Sequence, residues 1–375
     1  MGYVAVKGGT MAIEESIKRL KYERVKKKEV INVKEINCGM RGLIDQVMSE
    51  SSLYSEELAS ISIKQAEGNS EEAVFLLRAY RSTLPRKHYT KPVETHHMFV
   101  ERRISASFKD IPGGQILGAS YDYTHRLIDF DLVEESKEEA IEWLESYEKV
   151  LKNSHNHMDI NLNSIPKVVD ILRKEGLLKD FVESTKEPND ITKKSIEFPT
   201  DRSQRLQVLT RGQTGAVISL GYAALRAFGA VHPTVGELRV GGLPLYIPNP
   251  LSSEQHDEDE FYIGDIKVTE VESFIPRSVK RPNGKHEIEF DIGYGICFGQ
   301  NETKAIAMSL LDNCLETPND KFPTHNEEFI LLHIDSVEST GFMSHLKLPH
   351  YVTFQSELDS VRKTRKGGIQ SEDII

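Results

Sequence analysis

Residues 101–115 combine cationic side chains with a flexible turn. The segment contains two adjacent arginines, one lysine and the glycines of a Pro-Gly-Gly turn: Arg102, Arg103, Lys109, Gly113 and Gly114. Guanidinium groups match phosphate oxygens in shape, and a glycine turn lets backbone N–H groups approach an anion. We therefore predict a phosphate-binding segment, with a β-turn and surface salt bridges as the structural alternative. The segment is not a P-loop, because the chain contains no GxxxxGK[ST] motif.

The next segment, residues 120–126, carries side chains that can transfer protons. Its sequence, SYDYTHR, places the carboxyl group of Asp122 and the imidazole of His125 among several hydroxyl groups. Polar and titratable groups therefore follow the cationic segment directly.

Two histidines near the C-terminus are candidates for metal ligands. His345 and His350 are five residues apart, with Pro349 between them. On a helix this spacing turns the side chains about 140° apart, and on a strand it puts them on opposite faces. The two imidazoles can meet only in a loop, for example one that wraps a zinc ion, with His333 as a candidate third ligand. Spacing alone favours two unrelated histidines over a metal site.

Hydrophobic periodicity predicts helices around these segments. Capping residues followed by acids and by apolar residues at helical spacing predict helices at 55–68 and 70–83. The charged stretch 134–157 has an apolar stripe at helical spacing, which predicts a surface helix in an insertion. Further helices are predicted at 216–228, from residue 301, and at 352–364.

The last third of the chain contains strand patterns. Alternating apolar residues predict strands at 263–274 and 288–298. Three prolines and five acidic residues in 243–260 predict an exposed loop. The sequence GYGICFG at 293–299 differs from the GxGxxG fingerprint, so we predict strand packing and a glycine turn there and no dinucleotide site.

Charge and cysteine content exclude several classes of function. The chain has 375 residues, enough for about two domains, and a net charge of −11. An acidic chain repels a phosphate backbone, so nucleic acid is not an expected partner. Three scattered cysteines cannot hold a four-cysteine zinc site or an iron–sulfur cluster, and they suit a reducing cytoplasm. The most apolar stretch, 216–231, is too short to span a membrane.

Long motifs cover almost the whole chain: YVAVKGG at 3–9, AVFLLRAYRSTL at 73–84, ERRISASFKDIPGGQILGASYDYTHRLIDF at 101–130, HPTVGELRVG at 232–241, GYGICFG at 293–299 and GFMSHLKLPHYVTFQSEL at 341–358. Together they resemble subunit I of the bacterial carbon–phosphorus lyase core complex, the PhnI family. Residues 134–157 and 245–260 resemble the family less.

The resemblance implies a subunit of a cytoplasmic complex in phosphonate catabolism. Such a subunit displaces adenine from ATP with methylphosphonate, giving ribose 1-methylphosphonate 5-triphosphate, and acts as a nucleosidase when it is alone. The implied partners are the other core subunits, including the radical-SAM subunit that later breaks the carbon–phosphorus bond. A non-catalytic scaffold that docks the radical-SAM subunit, and a stand-alone metal-dependent hydrolase, are the alternatives.

The resemblance also assigns roles to residues. The zinc-binding histidines of the family fall on His345 and His350, which reverses the interpretation from spacing alone. Arg102, Arg103 and Lys109, with the glycine turn, are then expected to bind the substrate phosphates. The departing adenine needs a proton, and Asp122 and His125 are the candidates for its general acid or for an orienting group.

The predicted fold is α+β. A helix-rich N-terminal half precedes a C-terminal half with a mixed or antiparallel sheet and flanking helices. The predicted division is a domain at 1–133, a charged insertion or linker at 134–165, and a domain at 166–375 that contains the histidine loop.

Overall fold

The computed structural model describes residues 9–154, 165–178, 184, 186–226, 232–251 and 259–367. The helices are α1 Gly9–Val25, α2 Val33–Gly39, α3 Arg41–Ser51, α4 Glu56–Gln65, α5 Ser70–Ser82, α6 Lys137–Ser154, α7 Val168–Lys174, α8 Arg202–Arg211, α9 Thr214–Arg226, α10 Glu302–Glu316, α11 Glu327–His333, α12 Ser336–His345 and α13 Tyr351–Gly367. The strands are β1 Phe99–Ile104, β2 Thr234–Pro248, β3 Glu260–Lys280 and β4 His286–Phe298.

In these residues the strands form one antiparallel sheet in the order β1-β2-β3-β4. The α+β prediction is confirmed, and so are the strands expected at 263–274 and 288–298. Strand β1 belongs to the segment 1–133, whereas the other three strands belong to 166–375. The two predicted domains therefore share one sheet.

Strand β2 corrects the predicted loop at 243–260. Residues up to Pro248 continue the strand, and Leu243 is buried in the core. Proline interrupts a ladder only where its missing N–H would have paired. The pairing of β1 with β2 ends at Phe99 and Gly242, so Pro244 lies beyond the end of β1 and costs no hydrogen bond on that side. Residues 252–258 lie outside the described ranges.

Helix α10 packs directly on β3 and β4. A Cβ atom on Gly293 or Gly295 would overlap the backbone carbonyls of Ser309 or Ala305. The glycines of GYGICFG therefore let the helix approach the sheet closely, as expected for strand packing. The chain then turns at Gly299, whose φ is +66°.

Helices α2–α5 form a second core beside the sheet. Ser55 accepts a hydrogen bond from the Leu58 amide, and Asn69 accepts one from the Glu72 amide at 2.8 Å, so the helices predicted at 55–68 and 70–83 begin at capping residues. Arg78 joins this core to the sheet half, because its guanidinium reaches Asp335 at 2.6 Å.

Helix α6 confirms the predicted surface helix in 134–157. Its apolar side chains are exposed, and Trp143 stacks on Tyr147 with ring centroids 5.1 Å apart. The helices predicted at 216–228, from residue 301 and at 352–364 correspond to α9, α10 and α13. Within the described ranges, no helix is both long and apolar enough to cross a membrane.

Candidate functional site

A cavity of about 960 Å³ lies between β1, α3, the start of α10 and residues 117–126, which we call the strap. Charged side chains of both signs line it: Arg41, Asp45, Arg102, Asp122, Arg126 and Glu302. Tyr121 and Tyr123 stand at its mouth and are largely exposed. The cavity can therefore hold an anionic molecule against arginines, next to carboxyl groups and aromatic rings.

Arg102 is the most deeply placed cation of this cavity, with only 3% of its surface exposed. Its Nη2 atom donates to Asp122 Oδ2 at 2.5 Å, its Nη1 atom donates to the Leu117 carbonyl, and its Nε atom lies 2.9 Å from Glu302 Oε1. The structure thus brings together two residues that the sequence predicted for the site. Asp122 itself is half exposed, and Arg126 Nη2 lies 3.6 Å from its Oδ1 atom.

Two other predicted residues lie outside the walls of this cavity. His125 belongs to the strap and is exposed. Its neighbours Thr124 and Arg126 line the cavity, but His125 does not. Lys109 is also exposed, on the loop after β1. Both side chains remain accessible from solvent.

Arg103 takes a different position from the one predicted. It is fully buried, and its guanidinium donates to Glu237 and to the carbonyls of Pro112, Gly114 and Pro166. These bonds hold the Pro-Gly-Gly turn from below. We therefore revise its role from phosphate contact to support of the turn, since a direct contact would break buried hydrogen bonds.

The glycine turn itself is tightly packed. Gly113 has a φ of +84°, and a Cβ atom there would lie 2.7 Å from Ile165 Cγ2. The Gly114 amide donates to the Ile111 carbonyl at 2.8 Å, which closes the turn. The backbone thus follows the structural alternative, a β-turn, but the ion pair that supports it is buried and not on the surface.

A buried ionic network under the turn was missed from the sequence. Glu270 on β3 accepts hydrogen bonds from Arg239, Lys167, Thr95 and Tyr294, the last at 3.0 Å. The pattern offered a signal, because Glu237 and Arg239, like Glu270 and Glu272, are two residues apart and so share one face of a strand. Charges repeated on the buried face of a strand indicate a paired network.

The network fixes the ionisation of its members. Burial by itself raises the pKa of Glu270, but the charges of Arg239 and Lys167 outweigh burial and hold this pKa at about 2. Burial raises the pKa of Glu272 in spite of Lys167 beside it. Glu270 is therefore the anion that balances the two cations. In the cavity, burial likewise raises the pKa of Asp45, which lies on α3.

The histidine pair lies at the end of α12 and the start of α13. The ring centroids of His345 and His350 are 5.6 Å apart. The Nδ1 atom of His345 contacts the Phe342 carbonyl, and that of His350 contacts the Leu348 carbonyl at 2.6 Å. When Nδ1 donates to a carbonyl, Nε2 keeps its lone pair, as in most metal-binding histidines.

The described part of the chain contains no group of three metal-binding side chains. His333 uses its Nδ1 atom on the Phe329 carbonyl at 2.6 Å. Exposed apolar side chains surround the pair instead, with exposed fractions from 57% to 74%: Phe342, Met343, Leu346, Val352 and Phe354. The described contacts join His345 to His350 and Arg102 to Asp122, but they do not join one pair to the other.

Comparison with known proteins decides the family. The family model described as bacterial phosphonate metabolism protein (PhnI) matches residues 2–368. The chain belongs to the PhnI family. The resemblance seen in the sequence motifs is thereby confirmed over nearly the full length.

Similar proteins with curated names carry the same family name or a related one. The chain is 41% identical over 371 residues to the candidate C–P lyase subunit HtxH of Stutzerimonas stutzeri, covering 97% of this chain and 96% of that protein. Proteins of Rhizobium meliloti and Escherichia coli, 41% and 38% identical, are both named alpha-D-ribose 1-methylphosphonate 5-triphosphate synthase subunit PhnI. The matches cover 97% of this chain and 95% and 98% of those PhnI proteins.

Proposed function

We propose that the chain is a catalytic subunit of a carbon–phosphorus lyase core complex. In this role it displaces adenine from ATP with methylphosphonate, giving ribose 1-methylphosphonate 5-triphosphate, and it hydrolyses the same bond when it is alone. Full-length membership of the PhnI family carries the proposal, together with relatives named as subunits of the synthase. The complex works in the cytoplasm, a reducing compartment that suits three free cysteines.

The reaction sets demands that the cavity can meet. Breaking the bond between ribose and adenine develops positive charge on the sugar and negative charge on the base. The triphosphate needs cations, and Arg102 with Arg126 and Arg41 supplies them in one cavity. Lys109 is exposed outside the cavity walls, and we propose it as a contact for the outermost phosphate. Arg103 supports the Gly113–Gly114 turn from the buried side.

The departing adenine needs a proton. Asp122 and His125 of the strap are our candidates for the general acid or for an orienting group. Asp45 joins them, because burial raises the pKa of its carboxyl group and it lines the same cavity. A carboxyl group that holds its proton longer can donate it to a leaving base.

We propose that His345 and His350 hold a zinc ion through their Nε2 atoms. The support is the pairing of both Nδ1 atoms with carbonyls and the short separation of the rings. When bound, zinc supplies a positive centre for an oxygen of the phosphonate or of the ribose phosphate. With both Nδ1 atoms bonded to carbonyls, the Nε2 lone pair of each ring is left to bind the ion.

Other subunits of the complex complete and shield the site. The exposed apolar side chains around the histidine pair favour coverage by a partner, because obligate interfaces are rich in such groups. We propose that the radical-SAM subunit is among these partners. Excluding water would favour transfer to methylphosphonate over hydrolysis.

The test is to incubate the purified chain with ATP and to separate the products by chromatography. Free adenine with ribose 5-triphosphate supports the proposal. Release of inorganic phosphate with the adenine still attached would favour a metal-dependent hydrolase. Unchanged ATP with the chain alone and with its partners would favour the scaffold, in which the histidine pair supports an interface.

A further inference from the structure

The carboxylate of Asp122 sits between two arginines of the cavity. Its Oδ2 atom is 2.5 Å from Arg102 Nη2, and its Oδ1 atom is 3.6 Å from Arg126 Nη2. Arg102 is almost fully buried, but half of the Asp122 side chain is exposed to solvent. The carboxylate of Asp122 thus covers the solvent-accessible side of the buried Arg102 guanidinium.

Arg102 has a second acidic neighbour on its inner side. Glu302 Oε1 lies 2.9 Å from Arg102 Nε, although this Nε atom makes no aligned hydrogen bond. Glu302 belongs to the first turn of α10, which packs on the sheet, and its Oε1 atom also accepts a hydrogen bond from Gln300 Nε2 at 2.7 Å. Of the two carboxylates, the one on the strap is therefore the more exposed and the more easily displaced.

The strap is fastened firmly at its beginning. Arg102 Nη1 donates to the Leu117 carbonyl, and Gln300 Nε2 donates to the Ala119 carbonyl at 2.8 Å. Gly118 crosses β1 so closely that a Cβ atom would lie 2.7 Å from the Glu101 carbonyl oxygen. This end therefore serves as a fixed anchor.

Beyond Asp122 the chain is fastened differently. Among the described residues, the hydrogen bonds from Thr124 to Glu134 join residues two or three positions apart. Leu127 and Ile128 have exposed fractions of 81% and 79%. The ion pair of Asp122 with Arg102 thus joins this part of the strap to β1, whereas the pair of Asp122 with Arg126 lies within the strap.

We infer that Arg102 and Arg126 form the subsite for one phosphoryl group, and that the carboxylate of Asp122 occupies this subsite when no ligand is bound. The inference rests on the proposed function and deepens it. A phosphoryl group carries up to about two negative charges and three acceptor oxygens, against one charge and two oxygens on the carboxylate. It therefore displaces Asp122 from both guanidiniums, while Glu302 stays in place.

Displacement couples phosphate binding to the position of Asp122. Once the phosphoryl group binds both arginines, the carboxyl group of Asp122 is released next to the bound ligand, while Arg126 keeps the end of the strap at the ligand. A nucleotide that lacks the phosphoryl group leaves Asp122 paired. The subsite therefore selects phosphorylated substrates by exchanging one anion for another.

The experiment measures binding of inorganic tripolyphosphate to the full chain by isothermal titration calorimetry in metal-free buffer. The variant is Asp122→Asn, which removes the competing charge at nearly constant shape. The control is Asp129→Asn, an exposed acid whose carboxylate accepts only a local bond from the Asp131 amide in the described structure. We expect Asp122→Asn to bind tripolyphosphate about fivefold more tightly, the strength of a partly exposed ion pair, and the control to match the wild type.

Hydrogen exchange provides a second readout on the same proteins. In the wild type, tripolyphosphate should speed exchange in residues 120–123, around the released Asp122. In Asp122→Asn the exchange of these residues should be fast without any ligand. Equal or weaker binding by Asp122→Asn, or slower exchange of residues 120–123 on binding, would overturn the inference.

The outcomes also separate this inference from the proposed function. If Asp122→Asn binds tripolyphosphate no better than the wild type while the wild type still releases adenine from ATP, the subsite is refuted and the proposed function survives. If the variant binds more tightly but the wild type never releases adenine, the subsite stands and the proposed function fails.

Discussion

Glu270→Gln removes the charge at the centre of the buried network. The carboxylate accepts hydrogen bonds from Lys167 at 3.0 Å and from Thr95 at 2.7 Å, and it pairs with Arg239. Glutamine has nearly the same shape but turns an NH₂ group toward one set of donors. Two buried cations would then be left with Glu237, which already pairs with Arg103, and with Glu272, whose own pKa is raised by burial.

The pKa of Glu270 and the usual cost of breaking a buried ion pair give similar magnitudes for the loss of unfolding free energy. The pKa of Glu270 is about 2, against an ordinary value of 4.5, and a difference of this size corresponds to about 3 kcal/mol of unfolding free energy at neutral pH. Removing one partner of a buried ion pair usually costs about 3–5 kcal/mol. We therefore expect Glu270→Gln to lower the unfolding free energy by about 3 kcal/mol.

The assay is urea unfolding followed by far-ultraviolet circular dichroism. Tryptophan fluorescence is unsuitable, because the single tryptophan, Trp143, is 64% exposed on α6. The matched control is Glu287→Gln on β4, whose carboxylate pairs with Arg281 at 2.6 Å on the surface. This control should change the unfolding free energy by about 1 kcal/mol or less. A loss of under 1 kcal/mol in Glu270→Gln, equal to the control, would refute the reasoning.

Three further predictions concern the same region. Acid should destabilise the wild type, because the pKa of Glu270 is lower in the folded than in the unfolded chain. The stabilisation by Glu270 is therefore present above about pH 4.5 and is lost as the pH falls toward 2. The urea midpoint, measured as a function of pH, should fall less in Glu270→Gln than in the wild type, and equal losses would contradict this. Gly113→Ala should lower the unfolding free energy by about 1–3 kcal/mol, and by more than Gly114→Ala, because only a Cβ atom at residue 113 clashes with Ile165. Equal melting temperatures of the two variants would contradict this prediction. Arg103→Lys should lower the unfolding free energy by about 1–3 kcal/mol, since one ammonium cannot replace a fork that reaches Glu237 and three carbonyls; a wild-type urea midpoint would show that the fork is dispensable.

Local patterns predicted the helices well. The acids after Ser55 and Ser70 and the apolar stripes behind them are short-range signals, and short-range hydrogen bonds to Ser55 and Asn69 cap the two helices. Strand β2 was missed because Pro244 indicates a loop unless the end of β1 is known. Pairing partners are set by tertiary structure, which the local sequence does not encode.

In the candidate site, too, residue types could be predicted from the sequence, but the positions of the side chains in the fold could not. Residue types correctly brought Arg102 and Asp122 into one cavity. Arg103 has the same type and an adjacent position, yet it points to the opposite face of β1, where it pairs with Glu237 instead of lining the cavity. Alternation along a strand decides between the two faces, and this segment was not predicted to be a strand.

The most direct test of the central claim is phosphorus nuclear magnetic resonance of the assembled complex with ATP and methylphosphonate, with adenine measured in parallel. We expect the complex to form equal amounts of free adenine and ribose 1-methylphosphonate 5-triphosphate, whereas the isolated chain should give mainly ribose 5-triphosphate. If the complex leaves methylphosphonate unchanged, or releases phosphate while adenine stays bound to ribose, the proposed reaction is contradicted.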